Sequence, residues 1–378
     1  MIFLINSSFT IWLPIYSLSD SKYQSPLYKS LIAIECLLSL LALIFTLITS
    51  YIIITSRAFH RNLNNLIASI ISSWLLSLVS QLLVTPFITG FSLSLSGDSL
   101  EMFYHCWWTD DVAQMTPLRD TRDVWPLFLG GFLAWYYICI MDSCLLVVAL
   151  ERTAASWFIR NYEKTSHHQI LLLLSVFQHG MVLIMTCLCF WNMVHFAFAI
   201  GFSVFINFLA VGIFWFNRQY NVRMLRKFEE IRMNPMRNME AYSLPARFQA
   251  KENVRSFDLT LRFLICGFIM IFTGISLIFI LNYNWFPYLE TFLVYCMENV
   301  IHLNPLIVCP VGIFSVNAWS KALLKSRVRW IQKITNIDAT SSVKQKMDQK
   351  LETDTYFLQL KNSWGDRDKE MEKGSDRK

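Results

Sequence analysis

The side chains best placed for chemistry in this sequence are charged residues at the ends of long apolar runs. Glu151 and Arg152 are adjacent at the end of one such run. A carboxylate beside a guanidinium can hold the arginine in an ion pair and release it to a partner when a helix bundle opens. The simpler alternative is that Arg152 anchors the helix end at the membrane surface.

A second group of polar and aromatic residues lies inside the apolar runs. Ionisable side chains are costly in lipid and usually face the interior of a bundle, where they contact one another. They predict a site for a small, largely apolar ligand with one polar group, unless they only join helices around buried water. Glu298 and His302 are four residues apart, which a helix puts on one face. The predicted set is Trp135, Tyr136, Asp142, Tyr295, Glu298 and His302.

No motif for catalysis accompanies these residues. The sequence contains no H-E-x-x-H, G-x-S-x-G, Walker or dinucleotide-binding pattern. Its nine cysteines follow no metal-ligand spacing. We therefore expect neither an enzyme nor a metal, cofactor or nucleic-acid site.

The composition indicates a membrane protein, since 54% of the residues are hydrophobic and only 16% are charged. A bilayer core about 30 Å thick requires about 20 apolar residues per helix. The apolar runs predict an all-α bundle of seven transmembrane helices. These spans are Leu27–Thr55, Leu63–Phe91, Trp125–Leu150, Gln169–Phe190, His195–Asn217, Asp258–Asn282 and Leu289–Ile313.

The distribution of Lys and Arg predicts that the amino terminus lies outside the cell. With that orientation the outer segments hold only Lys22, Lys29, Arg119 and Arg122, and the remaining basic residues lie on the inner side. Asn6, in the only N-x-S/T sequon of the chain, is then available for glycosylation.

The same pattern predicts four regions along the chain. Residues 1–26 form an extracellular terminus and residues 27–313 the seven-helix domain. Residues 314–332 place Trp319 and Trp330 on one side and lysines on the other, which predicts a short amphipathic helix on the inner membrane face. Residues 333–378 mix many charges with few apolar residues, which predicts a disordered cytosolic tail.

The third inner connection contains a basic stripe. Residues 217–233 continue the fifth helix, and Ser243 with Pro245 can start a helix that leads into the sixth span. Arg247, Lys251 and Arg255 then recur every fourth residue. This stripe suits an acidic partner surface and equally suits anionic lipid headgroups.

The outer connection between the second and third spans is long and acidic. It is the only outer loop with the length to fold over the mouth of the bundle, although its acidity alone predicts no more than solvation. Cys106 lies in this loop, and Cys187 and Cys189 lie near the outer end of the fourth span. We expect Cys106 to pair with Cys189 or Cys187, the alternative being a free thiol.

Several segments resemble nematode chemoreceptors of the Sre family, serpentine receptor class epsilon. They are Trp12-Leu-Pro-Ile-Tyr16, Ala149-Leu-Glu-Arg-Thr-Ala-Ala-Ser-Trp-Phe158, residues 161–163, residues 242–256 and Leu303-Asn-Pro-Leu306. The Arg-Phe-Gln-x-Lys-Glu-Asn stretch at 247–253 is the most specific, because membrane burial does not require polar residues there.

Two short motifs also resemble those of rhodopsin-like receptors. Glu151-Arg152 is similar to the Asp/Glu-Arg-Tyr motif that ends the third helix, with Thr153 in place of the aromatic residue. Asn304-Pro305 is similar to the seventh-helix Asn-Pro-x-x-Tyr motif, with Val308 in place of the tyrosine.

The Sre resemblance implies seven helices and the sensing of environmental chemicals. Expected partners are a heterotrimeric G protein, a small-molecule ligand and the lipid bilayer. The expected location is the plasma membrane, in a chemosensory neuron or its cilium. The alternative function is a ligand-gated channel or a transport protein, and the Lys/Arg distribution favours the receptor, because insect-type olfactory channels place the amino terminus inside.

Overall fold

The structure is a computed structural model that describes residues 1–5, 9–16, 18, 21–56, 58–89, 108–118, 124–158, 168–233, 244–283 and 285–325. Among these residues, seven helical stretches are long and apolar enough to cross a membrane, which confirms the predicted seven-helix bundle. The first span is α1 (Pro26–Thr55), the second α2 (Arg61–Ser72) with α3 (Trp74–Ile88), the third α4 (Trp125–Trp157), the fourth α5 (His168–Phe190), the fifth α6 (Phe196–Met233), the sixth α7 (Leu244–Asn282) and the seventh α8 (Glu290–His302) with α9 (Pro305–Ser315).

The second span consists of two helices that meet at Ser73, whereas the sequence predicts one. The Ser73 hydroxyl donates to the Ile70 carbonyl oxygen at 2.6 Å. A serine hydroxyl that bonds to the preceding turn competes with the helical pattern and bends the chain. The predicted end of this span, Phe91, lies outside the described residues.

The seventh span is interrupted at Leu303 and Asn304 because of the proline that follows. Pro305 has no N–H to donate to the preceding turn. The Leu306 N–H bonds to Leu303 O at 3.1 Å, which leaves the His302 carbonyl without its usual helical donor. The Trp74 indole of the second span donates to that carbonyl at 2.6 Å. The break is therefore stabilised by a neighbouring helix, as membrane burial requires.

The fifth and sixth spans are the longest helices of the bundle. They contain 38 and 39 residues, so each is roughly 57 Å long and extends well beyond the hydrocarbon layer. The fifth helix continues to Met233 as predicted. The sixth begins at Leu244, next to the predicted start at Ser243 and Pro245.

The amino-terminal segment forms a small sheet that the sequence did not predict. Strand β1 (Ile2–Ile5) pairs antiparallel with β2 (Phe9–Trp12) and parallel with β3 (Thr116–Leu118). Nine described residues between Met1 and Leu18, among them Phe3, Trp12 and Leu13, contribute buried side chains to one apolar cluster with the ends of the second, third and fourth spans. We call this end of the bundle the amino-terminal face and the other end the opposite face.

Beyond the seventh span, residues 317–325 are helical. Trp319 is fully buried, and its ring lies 5.7 Å from that of Phe59. The remainder of the predicted amphipathic helix, residues 326–332, and the predicted disordered tail lie outside the described residues. Met1–Ala322 form one compact unit.

Candidate functional site

Arg152 lies at the opposite face, at the end of the third span, and is only 1% exposed. Its Nε donates to Glu151 Oε2 at 2.5 Å, and its NH2 group donates to Glu151 Oε1 at 2.7 Å. This two-bond geometry uses the planar fork of the guanidinium and fixes its orientation. The structure therefore brings together the pair that the sequence singled out.

Glu252 of the sixth span is a second acidic partner of Arg152. Its Oε1 lies 3.5 Å from Arg152 NH1. The same oxygen accepts a hydrogen bond of 2.6 Å from the backbone N–H of His60, the residue that caps the start of α2. A carboxylate at a helix start is stabilised by the unpaired N–H groups there. Glu252 thus connects the third span, the sixth span and the connection between the first two spans.

Asn253 extends this arrangement into a polar layer between the third, fifth and sixth spans. Its Oδ1 accepts from Arg152 NH1 at 3.1 Å, and its Nδ2 donates to Ser156 Oγ at 3.0 Å and to Asn221 Oδ1 at 3.2 Å. Asn221 Nδ2 also donates to Ser156 Oγ, at 2.9 Å. We call Glu151, Arg152, Ser156, Asn221, Glu252 and Asn253 the Arg152 network.

The Arg152 network suits a two-state contact between helices. Hydrogen bonds between membrane helices contribute about 0.6 kcal/mol each on average, so the neutral part of the layer is easily rearranged. A buried charge that loses its partner costs about 3–5 kcal/mol. Opening the bundle at this face therefore becomes favourable when another group accepts the guanidinium.

Sequence reasoning missed Glu252 and Asn253, although both lie in the 247–253 stretch that carries the most specific family resemblance. Gln249 and Asn253 stand four residues apart, which places two amides on one helix face, and both are buried. That spacing was the available signal. The predicted basic stripe lies elsewhere on the same helix: Lys251 and Arg255 are exposed, and the Arg255 guanidinium lies 5.2 Å from the Phe59 ring centre.

The seventh-span motif contacts the third span. Asn304 Nδ2 donates to the Tyr137 hydroxyl at 2.6 Å, and both side chains are buried. Asn304 and Pro305 therefore stand where the helix breaks and where it contacts the third span.

At the amino-terminal face, the fully buried Trp12 occupies the mouth of the bundle. The indole N–H of Trp135 in the third span donates to the Trp12 carbonyl oxygen at 2.8 Å, and the two ring centres are 4.5 Å apart. The next residue, Leu13, packs on Gly131, where an added β-carbon would lie 3.3 Å from Leu13 Cβ. Glycine at 131 thus permits the close approach of the amino-terminal segment to the third span.

Asn192 ties this segment to the end of the fourth span. Its φ of 49° is the left-handed conformation that asparagine tolerates at the end of a helix. Its side chain donates to Thr10 Oγ1 at 3.4 Å and accepts from the Trp108 indole at 3.3 Å. The amino-terminal segment therefore covers this end of the bundle, together with Trp108.

The six residues predicted to bind ligand do not converge on one cavity. Three of them meet the amino-terminal segment or its cluster: Trp135 and Tyr295 pack in the cluster, and Glu298 Oε1 accepts from the Tyr16 N–H at 3.5 Å. The other three have separate partners. The Tyr136 hydroxyl lies 2.8 Å from His179 Nδ1, Asp142 Oδ1 accepts from Ser203 and Asn207, and the His302 ring lies between Ser39 and Ser77.

The predicted glycosylation site lies outside the described residues, and so does one cysteine of the predicted disulfide. These residues are Asn6 and Cys106. Cys189, the predicted partner of Cys106, is buried in the cluster beneath the amino-terminal strands, and Cys187 is partly exposed. Both modifications stay predictions.

Comparison with known proteins gives one consistent result. A family model described as Sre G protein-coupled chemoreceptor matches residues 1–365. Serpentine receptor class epsilon-45 of Caenorhabditis elegans is 33% identical over 379 residues, which covers 96% of this chain and 100% of the relative. Serpentine receptor class epsilon-38 of the same organism is 28% identical and covers 94% of this chain and 97% of its own length.

Proposed function

Because the chain belongs to the Sre family of G protein-coupled chemoreceptors, we propose that it detects an environmental small molecule and activates a cytosolic heterotrimeric G protein. The chain is a multi-pass membrane protein. Its proposed location is the plasma membrane of a chemosensory neuron or its cilium. The amino-terminal face is then extracellular, and the opposite face is cytosolic.

The Arg152 network is the observation that carries this proposal. It joins the inner ends of the third, fifth and sixth spans by a buried arginine with two acidic partners. Separation of these helix ends exposes Arg152 to a cytosolic partner and opens a cleft between the helices. The basic residues Lys251 and Arg255, exposed beside the network, can add contacts to an acidic surface of that partner.

Ligand-stimulated nucleotide exchange on Gα subunits tests the proposal. Membranes that contain the receptor are exposed to volatile and water-soluble compounds, and GTP uptake by a panel of Gα subunits is compared with membranes that lack it. A compound that increases uptake only with the receptor supports the function. A ligand-evoked ionic current in the absence of any G protein would instead support a channel.

We predict from the proposed orientation that Asn6 is glycosylated and that the chain after Trp330 is cytosolic. Glycosidase treatment should increase the electrophoretic mobility of the wild type and leave an Asn6→Gln variant unchanged. Protease added outside intact cells should spare an epitope placed after Trp330. Cleavage of that epitope in intact cells would reverse the orientation and remove the receptor assignment.

We propose that ligands enter beside the amino-terminal segment and contact Trp12 and Trp135. Trp135→Phe keeps an aromatic side chain but removes the indole N–H and its 2.8 Å bond to the Trp12 carbonyl oxygen, while Trp12→Ala removes a fully buried ring. A lost hydrogen bond contributes about 1 kcal/mol and a buried aromatic ring about 3 kcal/mol or more. We expect the potency of an agonist to change about fivefold in the first variant and more than tenfold in the second.

Trp125→Ala is the control for these two variants. Trp125 lies on the same span and is 59% exposed, so its loss should leave agonist potency unchanged. Equal potency of all three variants and the wild type, at matched surface levels, would place the ligand away from the amino-terminal segment.

A further inference from the structure

A small cavity lies between the first, second and seventh spans, near the amino-terminal face. Glu35 of the first span and Glu298 of the seventh both line it, together with Gln81 and Asn299. Both glutamates lie within membrane-spanning helices. A carboxyl group is costly at such a position, so two of them around one cavity require compensation.

Hydrogen-bond donors stabilise these carboxyl groups, and Glu298 also interacts with the amino-terminal ammonium of Met1. Glu35 Oε1 accepts from Gln81 Nε2 at 2.7 Å, and Oε2 accepts from Asn299 Nδ2 at 3.3 Å. Glu298 Oε1 accepts the longer 3.5 Å bond from the Tyr16 N–H. No lysine, arginine or histidine is found among the described residues that line the cavity. The described lining of the cavity therefore has two acidic side chains and no basic side chain.

Asn299 adds an unpartnered acceptor to the same cavity. Its Nδ2 donates to Glu35 and to the Tyr295 carbonyl at 3.0 Å, which uses both amide hydrogens and fixes the orientation of the group. Its Oδ1 has no hydrogen-bond partner within the described part of the chain, and the residue is only 7% exposed. A buried acceptor without a donor is unfavourable and indicates a missing partner.

We propose that this cavity binds a small monovalent cation between Glu35, Glu298 and the Asn299 amide oxygen. Na⁺ and a small ammonium ion both carry one positive charge, and both suit a site in which oxygen atoms surround the cation. The cavity volume of about 10 Å³ suits an occupant the size of one water molecule.

The cation site does not depend on the proposed signalling function, because binding to the folded receptor is measurable as stability. Purified receptor is heated in NaCl or NH₄Cl, with choline chloride maintaining the ionic strength. Above the dissociation constant, each tenfold increase in the concentration of the cation in solution should raise the unfolding midpoint by about 2 °C. Choline exceeds the cavity volume and should give no rise.

The two salts distinguish the sources of the charge. A rise in NaCl assigns a metal ion, and a rise only in NH₄Cl assigns a nitrogen cation with N–H donors. Glu35→Gln and Glu298→Gln should each abolish the rise. Glu290→Gln, on the seventh span but outside the cavity, is the matched control and should retain it. No rise over choline chloride in the wild type, or an unchanged rise in both cavity variants, would overturn the proposal.

Discussion

Replacement of Arg152 with alanine should reduce G-protein activation about 30-fold or more while the receptor still reaches the cell surface. An arginine at the centre of an interface contributes about 2 kcal/mol or more to binding, which corresponds to about 30-fold in affinity. Arg152 is the buried cation at the proposed cytosolic opening, so its loss removes both the resting contact and the contact with the partner. Nucleotide exchange at matched surface levels measures the effect.

The design must separate signalling from folding. Arg152→Ala alone leaves Glu151 buried without its partner, which costs about 3–5 kcal/mol. The double variant Arg152→Ala with Glu151→Gln removes both charges and should fold while remaining silent. Arg262→Ala is the matched control, because Arg262 is an exposed arginine on the sixth span with one long bond to the Ser315 carbonyl. Full activity of the double variant would reduce Arg152 to a membrane anchor.

Replacement of Glu252 with glutamine should raise basal signalling without ligand. Glutamine retains the size of the side chain but loses the charge that attracts Arg152 from 3.5 Å. If the contact favours the closed state by about 1–2 kcal/mol, its loss shifts the ratio of open to closed receptor about 5- to 30-fold. Basal nucleotide exchange should rise in that range, and the response to a ligand should shrink accordingly.

Glu229→Gln provides the comparison for Glu252→Gln. Glu229 is exposed on the extension of the fifth helix, so the same chemical change there should leave basal exchange at the wild-type level. Glu151→Gln removes the other acidic partner and should also raise basal exchange. If Glu252→Gln and Glu151→Gln both kept the basal nucleotide exchange of the wild type, the Arg152 network would not stabilise the inactive state.

The fold follows from the sequence because lipid imposes simple requirements on a helix. Each span must be long and apolar, and the break before Pro305 requires only the chemistry of proline. The pair Glu151 and Arg152 was also predictable, because the two opposite charges are adjacent at the end of an apolar run. The break at Ser73 was not, because serine bends some membrane helices and continues others.

The rest of the site depends on which helix face meets which neighbour. A span that is apolar on nearly all sides does not reveal its rotation through the period of its residues. Trp135 and Tyr136 are adjacent in sequence, yet one contacts Trp12 and the other His179. The amino-terminal strands pair through backbone groups and across more than 100 residues with β3, which no local pattern indicates.

Nucleotide exchange with the Glu252→Gln receptor is the most direct test of the central claim, because it requires no ligand. Membranes carrying wild type, Glu252→Gln, or Glu252→Gln with both Arg152→Ala and Glu151→Gln are mixed with a panel of purified Gα subunits and βγ. We predict that at least one Gα exchanges nucleotide about fivefold or more faster with Glu252→Gln than with wild type, and that the added Arg152→Ala and Glu151→Gln changes abolish the increase. Equal exchange for all three receptors and for empty membranes, with every Gα and confirmed surface expression, would contradict the account.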